Sequence, residues 1–169
     1  MTTTTTPRVY VGTYAKYNAG SIEGAWIDLE DHDAETFREA CLALHKDEHD
    51  PELMFQDFEG FPRAFYGESY LAPRLWDWLA LDEQDRDLWT VYVEDVSQDA
   101  DLDAARDAFL GIYDSPRDWA EEWLDQDPGF HAIPDRLKAF FDFDAYAREA
   151  EHDGLTFVEH EGNTYVFSR

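Results

Sequence analysis

The chain has a single cysteine, Cys41, among 169 residues, so no intramolecular disulfide can form and a hydrophobic core has to hold the fold. That thiol lies in an apolar helical stretch where a small buried side chain fits, and a reducing cytoplasm is the expected compartment. Lysine is also scarce, with three among 13 basic residues against 39 acidic ones. No apolar run approaches the ~18 residues of a membrane-spanning helix, which argues against a membrane partner. Met1 and Thr2 to Thr6 carry neither the basic nor the apolar region of a signal peptide, so residues 1–7 are expected to form a flexible tail. There is no Gly-rich phosphate loop, no Gly-x-Ser-x-Gly elbow, no Cys-x-x-Cys pair, no internal repeat and no Gly, Ser or Pro-rich linker. The expectation is therefore a protein without cofactor or catalytic residues.

What is present is a foldable chain with an extreme charge. Hydrophobic residues make up 44% and aromatics 16%, enough to bury a core, while the formal net charge is -26. Such a molecule repels nucleic acid and anionic membranes and attracts basic surfaces. Acidic blocks normally sit in disordered tails, but here the charge is spread evenly. Residues 1–60 carry 13 acids and 4 bases, residues 61–103 carry 11 and 3, and residues 104–169 carry 15 and 6. Acids are interleaved with apolar residues at structural spacing, as in Trp119-Ala120-Glu121-Glu122-Trp123-Leu124-Asp125, so carboxylates are fixed on ordered surfaces. Holding like charges on a compact body costs stability, and a function that needs fixed anions would offset it. Duplex DNA has one charge per about 1.7 Å, so a dimer of this chain would match roughly 90 Å of duplex. The competing reading is a salt-adapted proteome, with which 23 Asp against 16 Glu and the few lysines also agree.

The periodicities describe an α+β protein. Val9 and Val11 alternate in a strand over residues 8–14, and residues 22–29 form a second; the stretch from Lys16 to Ser21 has turn composition and joins them as a long hairpin. Asp33 caps a helix to about Leu44, with Phe37, Cys41 and Leu44 on one face, and residues 53–58 read as a strand. After Pro73, the residues Leu71, Leu75, Trp76, Trp78 and Leu79 suit a helix, while residues 88–96 fit either a helix or a buried strand. Residues 103–112 look helical. Ser115-Pro116-Arg117-Asp118 is a helix start that should turn Trp119, Trp123 and Leu124 inward and Glu121, Glu122 and Asp125 away. Short helices begin at Pro134 and Asp144, and residues 156–158 and 164–167 close as a hairpin across Glu161-Gly162-Asn163.

Two metal patterns are incomplete. His45-Lys46-Asp47-Glu48-His49 matches the H-x-x-E-H zinc motif, but it falls at an expected helix end before Asp50-Pro51 with no third-ligand helix following. Asp99-Ala100-Asp101-Leu102-Asp103 opens like a calcium loop, yet Ala104 and Leu110 stand where Gly and Glu are needed.

Three stretches in register carry a resemblance. They are Val9-Tyr10-Val11 with Tyr17 to Ile27, then Glu52 to Phe61, and finally Ile133-Pro134 through Phe141-Asp142-Phe143-Asp144-Ala145-Tyr146-Ala147-Arg148-Glu149 to Val158. Together they resemble the ArdA antirestriction proteins, DNA mimics directed at Type I restriction-modification enzymes. Gln56 and Phe58 depart from a His-Asp-Tyr-Glu pattern in the second stretch. The resemblance implies three small consecutive domains, elongated and curved: an N-terminal α+β unit (1–60), a helical middle (61–103) and a C-terminal α+β unit (104–169). It implies a homodimer that binds the methyltransferase and specificity subunits, does not bind nucleic acid directly, and performs no catalysis. Within the matching stretches the candidate phosphate-mimicking residues are Glu52, Asp57, Glu59, Asp142, Asp144 and Glu149. Glu121, Glu122 and Asp125 join them from helical exposure alone. An acidic module for some other basic DNA-binding protein is the alternative.

Overall fold

The computed structural model describes residues 5–169, which fall into two compact units divided after Asp99. The first contains β1 (Arg8–Thr13), α1 (Tyr14–Asn18), β2 (Ala25–Asp28), α2 (Ala34–Leu44), β3 (Leu53–Glu59), a 3-10 turn (Arg63–Phe65), α3 (Arg74–Leu79) and α4 (Glu83–Asp95). The second contains α5 (Leu102–Ala108), β4 (Phe109–Tyr113), α6 (Pro116–Asp125), α7 (Pro128–His131), α8 (Asp135–Lys138), α9 (Phe143–His152), β5 (Leu155–His160) and β6 (Asn163–Ser168). Small antiparallel sheets thus lie toward both ends of the sequence with helices between them, an α+β protein.

In the first unit β1 is the central strand, antiparallel to β2 and β3. Val9 and Val11 are fully buried because both neighbours cover them: Val9 stands opposite Ile27 and Phe58, Val11 opposite Phe55. A bulge at Gln56 lets Phe55 and Phe58 share the core face although they are three apart. The same bulge puts Asp57 and Glu59 on the other face, opposite Tyr10 and Arg8. Asp33 caps α2 by accepting from the Thr36 amide, and the Thr36 hydroxyl oxygen accepts in turn from the Asp33 amide, so both helix-end donors are satisfied. Phe37 then packs against Phe55 and Trp76.

Several expectations change here. The turn-like stretch after β1 holds a helix, Tyr14–Asn18, because Thr13 caps it through the Lys16 amide. The second strand is limited to Ala25–Asp28. Leu71 lies outside α3, paired with Tyr66 in an isolated bridge. The segment left open between helix and strand is helix α4, begun by Asp82, which accepts from the Asp85 amide. Of the tail, residues 1–4 lie outside the described residues. Pro7 is buried and its carbonyl accepts from the Leu29 amide, and Gly60 has φ 77° with no room for a side chain beside Thr5 to Pro7. Residues 5–7 are thus packed on the first unit rather than loose.

In the second unit β6 is central, between β4 and β5. The β5–β6 hairpin turns on two residues, Glu161 (φ 51°) and Gly162 (φ 81°), the pair of positive angles that a two-residue turn between twisted strands requires; Asn163 is already in β6. The expected helix over 103–112 is corrected: it stops at Ala108 and Phe109–Tyr113 pairs with β6. Ser115 caps α6 and Pro116 opens it. Trp119, Ala120 and Leu124 turn inward, but Trp123 does not and is 56% exposed. The last long helix is capped by Asp142 rather than Asp144.

Candidate interaction surface

Carboxylates are held on three kinds of support. The outer face of the first sheet carries Arg8, Tyr10, Trp26, Asp28, Asp57 and Glu59 in register across its strands. Arg8 sits 4.5 Å over the Trp26 ring and donates to Glu59 at 2.8 Å. The hydrogen bond from Arg8 to Glu59 outweighs desolvation and, with the charges of Glu59 and Asp28, raises the guanidinium above its ordinary pKa. Asp57 is exposed and accepts from the neighbouring Phe58 amide, so its charge remains available to a partner. Glu52, exposed at the start of β3, lines a cleft of about 380 Å³ that also includes Arg38, Phe37, Tyr70 and Trp76.

In the second unit the exposed side of α6 presents Glu121, Glu122 and Asp125. Arg117 bonds Glu121 at 2.9 Å and reaches Asp144 at 3.4 Å, joining the first turn of α6 to that of α9. Those two acids raise the Arg117 guanidinium, the hydrogen bond to Glu121 contributing most. Burial and the nearby Glu122 push the Tyr113 hydroxyl up. Asp142 is committed to its cap, accepting from the Ala145 amide at 2.9 Å. Glu149 lies along the same helix and lines a groove with Trp119 and Trp123.

The nine acids singled out in the sequence therefore differ in how free they are. All but the half-buried Glu59 are exposed; Glu59, Glu121 and Asp144 are ion-paired within the chain, and Asp142 caps α9. Sequence reading missed Asp28, Asp153 and the cations Arg8 and Arg117. Only Arg117 had a local signal, Glu121 one helical turn away.

The zinc-like motif has a structural role. Helix α2 ends at Leu44, so His45 and His49 do not share a helix face. His45 is buried; its Nε2 faces the Val11 carbonyl at 3.1 Å, which can only accept, and its Nδ1 faces the Lys16 ammonium at 2.9 Å. Glu48 accepts from the Thr13 hydroxyl at 2.6 Å. Both ring nitrogens are thus used in tying β1 and α1 to the end of α2. Among the described residues no group of three or more His, Cys, Asp or Glu is placed to hold a metal ion. No helix among them is long and apolar enough to cross a membrane.

Fold and surface together define an acidic α+β protein that fixes carboxylates on strand faces, helix sides and helix ends. The chain belongs to the ArdA antirestriction protein family, whose model matches residues 9–165, nearly its whole length. Among curated proteins nothing matches it.

Proposed function

We propose that the chain is a DNA mimic that occupies the DNA groove of a Type I restriction-modification enzyme. Family membership supports antirestriction and hence an encounter with restriction-modification enzymes. The observation that carries the mimicry is the placement of carboxylates on ordered, exposed elements in a chain whose 13 basic residues can neutralise at most a third of its 39 acids. Asp57, Glu52, Glu122, Asp125 and Glu149 are the foremost phosphate surrogates, with Glu59, Asp142, Asp144 and Glu121 adding to the field from positions already bonded within the chain.

The mechanism is competitive occupancy without catalysis. Carboxylates engage the Lys and Arg side chains of the methyltransferase and specificity subunits that would otherwise hold phosphates. Phosphate contacts supply much of protein–DNA affinity and carry no sequence information, so one mimic can block enzymes with different recognition sequences. Pairing of two copies as a homodimer in the cytoplasm would extend that field toward the length of a bound duplex.

The test is competition on a Type I methyltransferase across a salt series. Duplex DNA is expected to displace the protein, and affinity to fall steeply as salt rises. Equal binding to an enzyme whose groove is already filled with DNA would refute competitive occupancy.

A further inference from the structure

We propose that the groove around Trp123 receives an arginine side chain from the protein this chain binds. The groove, about 360 Å³, lies wholly within the second unit, and its lining includes Leu110, Tyr113, Trp119, Tyr146, Glu149 and Asp153. Trp119 is 4% exposed and Trp123 56%, their ring planes 18° apart with centroids at 6.0 Å. More than half of an indole is therefore left to solvent beside a packed one. Glu149 and Asp153 are one helical turn apart, the Asp153 amide donating to the Glu149 carbonyl. Among the described residues no lysine or arginine lines the groove.

Elsewhere the chain treats aromatic faces differently. Arg8 lies over Trp26 and binds Glu59; Arg86 lies 4.8 Å over Trp78 and binds Glu30 at 2.6 Å. Arg117 lies 5.5 Å over Phe143 and binds Glu121. Each unit consists of a ring, a guanidinium and a carboxylate. The Trp123 groove has the ring and two carboxylates, and no guanidinium among the described residues lines it.

The chemistry selects the occupant. A planar, weakly hydrated guanidinium can stack on an indole and donate to carboxylates at the same time, which an ammonium does less well. A purely apolar occupant would strip water from Glu149 and Asp153 without pairing them. An arginine on a basic protein approaches a chain of net charge -26 down the field.

This inference takes its partner from the competitive-occupancy reading, and the test separates the two. The indole N–H resonance of Trp123, assigned by its loss in Trp123→Phe, is followed as blocked tri-arginine or tri-lysine peptide is added to the full chain. Tri-arginine is expected to shift it and to bind several-fold more tightly than tri-lysine, and the pair Glu149→Gln with Asp153→Asn to weaken it about tenfold. Against a Type I methyltransferase, Trp123→Ala is expected to lose about tenfold in affinity at every salt concentration with the salt slope unchanged, because the ring carries no charge. A Trp123 resonance indifferent to tri-arginine overturns the proposal. So does unchanged affinity of Trp123→Ala where the wild type still binds and is displaced by DNA, a result that leaves the occupancy reading intact. If the wild type does not bind the methyltransferase, that reading fails while the peptide titration still decides the groove. Conversion of a dimer to a monomer by Trp123→Ala, with peptide binding unaltered, would make the groove a contact between copies and overturn the proposal as well.

Discussion

Burial decides the chemistry of the one thiol. Cys41 is fully buried in α2, and desolvation pushes its pKa up to about 12, so almost no thiolate exists near neutral pH. A thiol reagent is expected to leave the native protein unlabelled while the urea-unfolded chain reacts at once; prompt native labelling would contradict the packing around α2. At Phe167, fully buried in the central strand β6 with Phe109 at 5.9 Å, truncation removes a ring from the middle of a sheet. Phe167→Ala is expected to cost about 3–5 kcal/mol in urea unfolding. Two carboxylates carry a pH signature. Hydrogen bonds from Thr36 hold Asp33 below its ordinary range, and the bond from Lys16 does the same for Asp47. A lowered folded value means that their stabilisation is complete above the unfolded value of about 3.9 and is lost as pH falls through the lower folded one. The urea midpoint should decline in that acid window, and the double variant Asp33→Asn with Asp47→Asn should decline less steeply, since its amides do not titrate.

Capping organises the elements and also absorbs aspartate. Asp33, Asp82, Asp101, Asp127 and Asp142 each begin a helix by accepting backbone amides, so five of the 23 aspartates are explained by local structure before any salt adaptation is invoked. Asp142 separates cap from charge. Asp142→Ala is expected to cost about 1 kcal/mol of stability, whereas Asp142→Asn, which still caps, should be close to neutral in unfolding while removing one negative charge. A loss of methyltransferase affinity in the Asn variant would therefore report the charge alone. Asp82, Asp101, Asp127 and Asp142 were not read as caps, but that of Asp33 was legible in sequence because it depends on a neighbour three residues away, as was the β5–β6 hairpin, whose turn is one residue shorter than expected. Strand β4 was not: Ala105, Ala108 and Ile112 fall at helical spacing, and the pairing of Phe109–Tyr113 with β6, more than fifty residues away, overrides it. Trp123 was misread for a related reason. Its spacing from Trp119 and Leu124 fits the inner face of α6, but whether that face extends far enough to cover it depends on Tyr146 and Leu155, which arrive from α9 and β5. Among the acids, the sequence could nominate exposed positions such as Asp57 and Glu122. It could not show that Arg8 crosses a sheet to Glu59, because that bond exists only through strand register.

At the scale of the whole molecule, one population of carboxylates has two opposite responses to salt. A formal charge of -26 on compact units raises the free energy of the folded state through self-repulsion, and the cations available within the chain offset only part of it. Screening therefore relieves the folded protein: raising salt from about 0.05 M to about 0.5 M shortens the Debye length from roughly 14 Å to roughly 4 Å. The melting temperature of the isolated protein should rise over that range. A salt-adapted protein would show the same rise, so thermal stability alone does not discriminate. Binding does. If the acids replace phosphates in a basic groove, the complex loses affinity as the lone protein gains stability, because the ions that screen repulsion within the mimic also compete for the groove. Parallel measurements of melting temperature and methyltransferase affinity in the same buffers should move in opposite directions. A complex whose affinity held constant or strengthened with salt would mean that the acidity serves solubility rather than recognition.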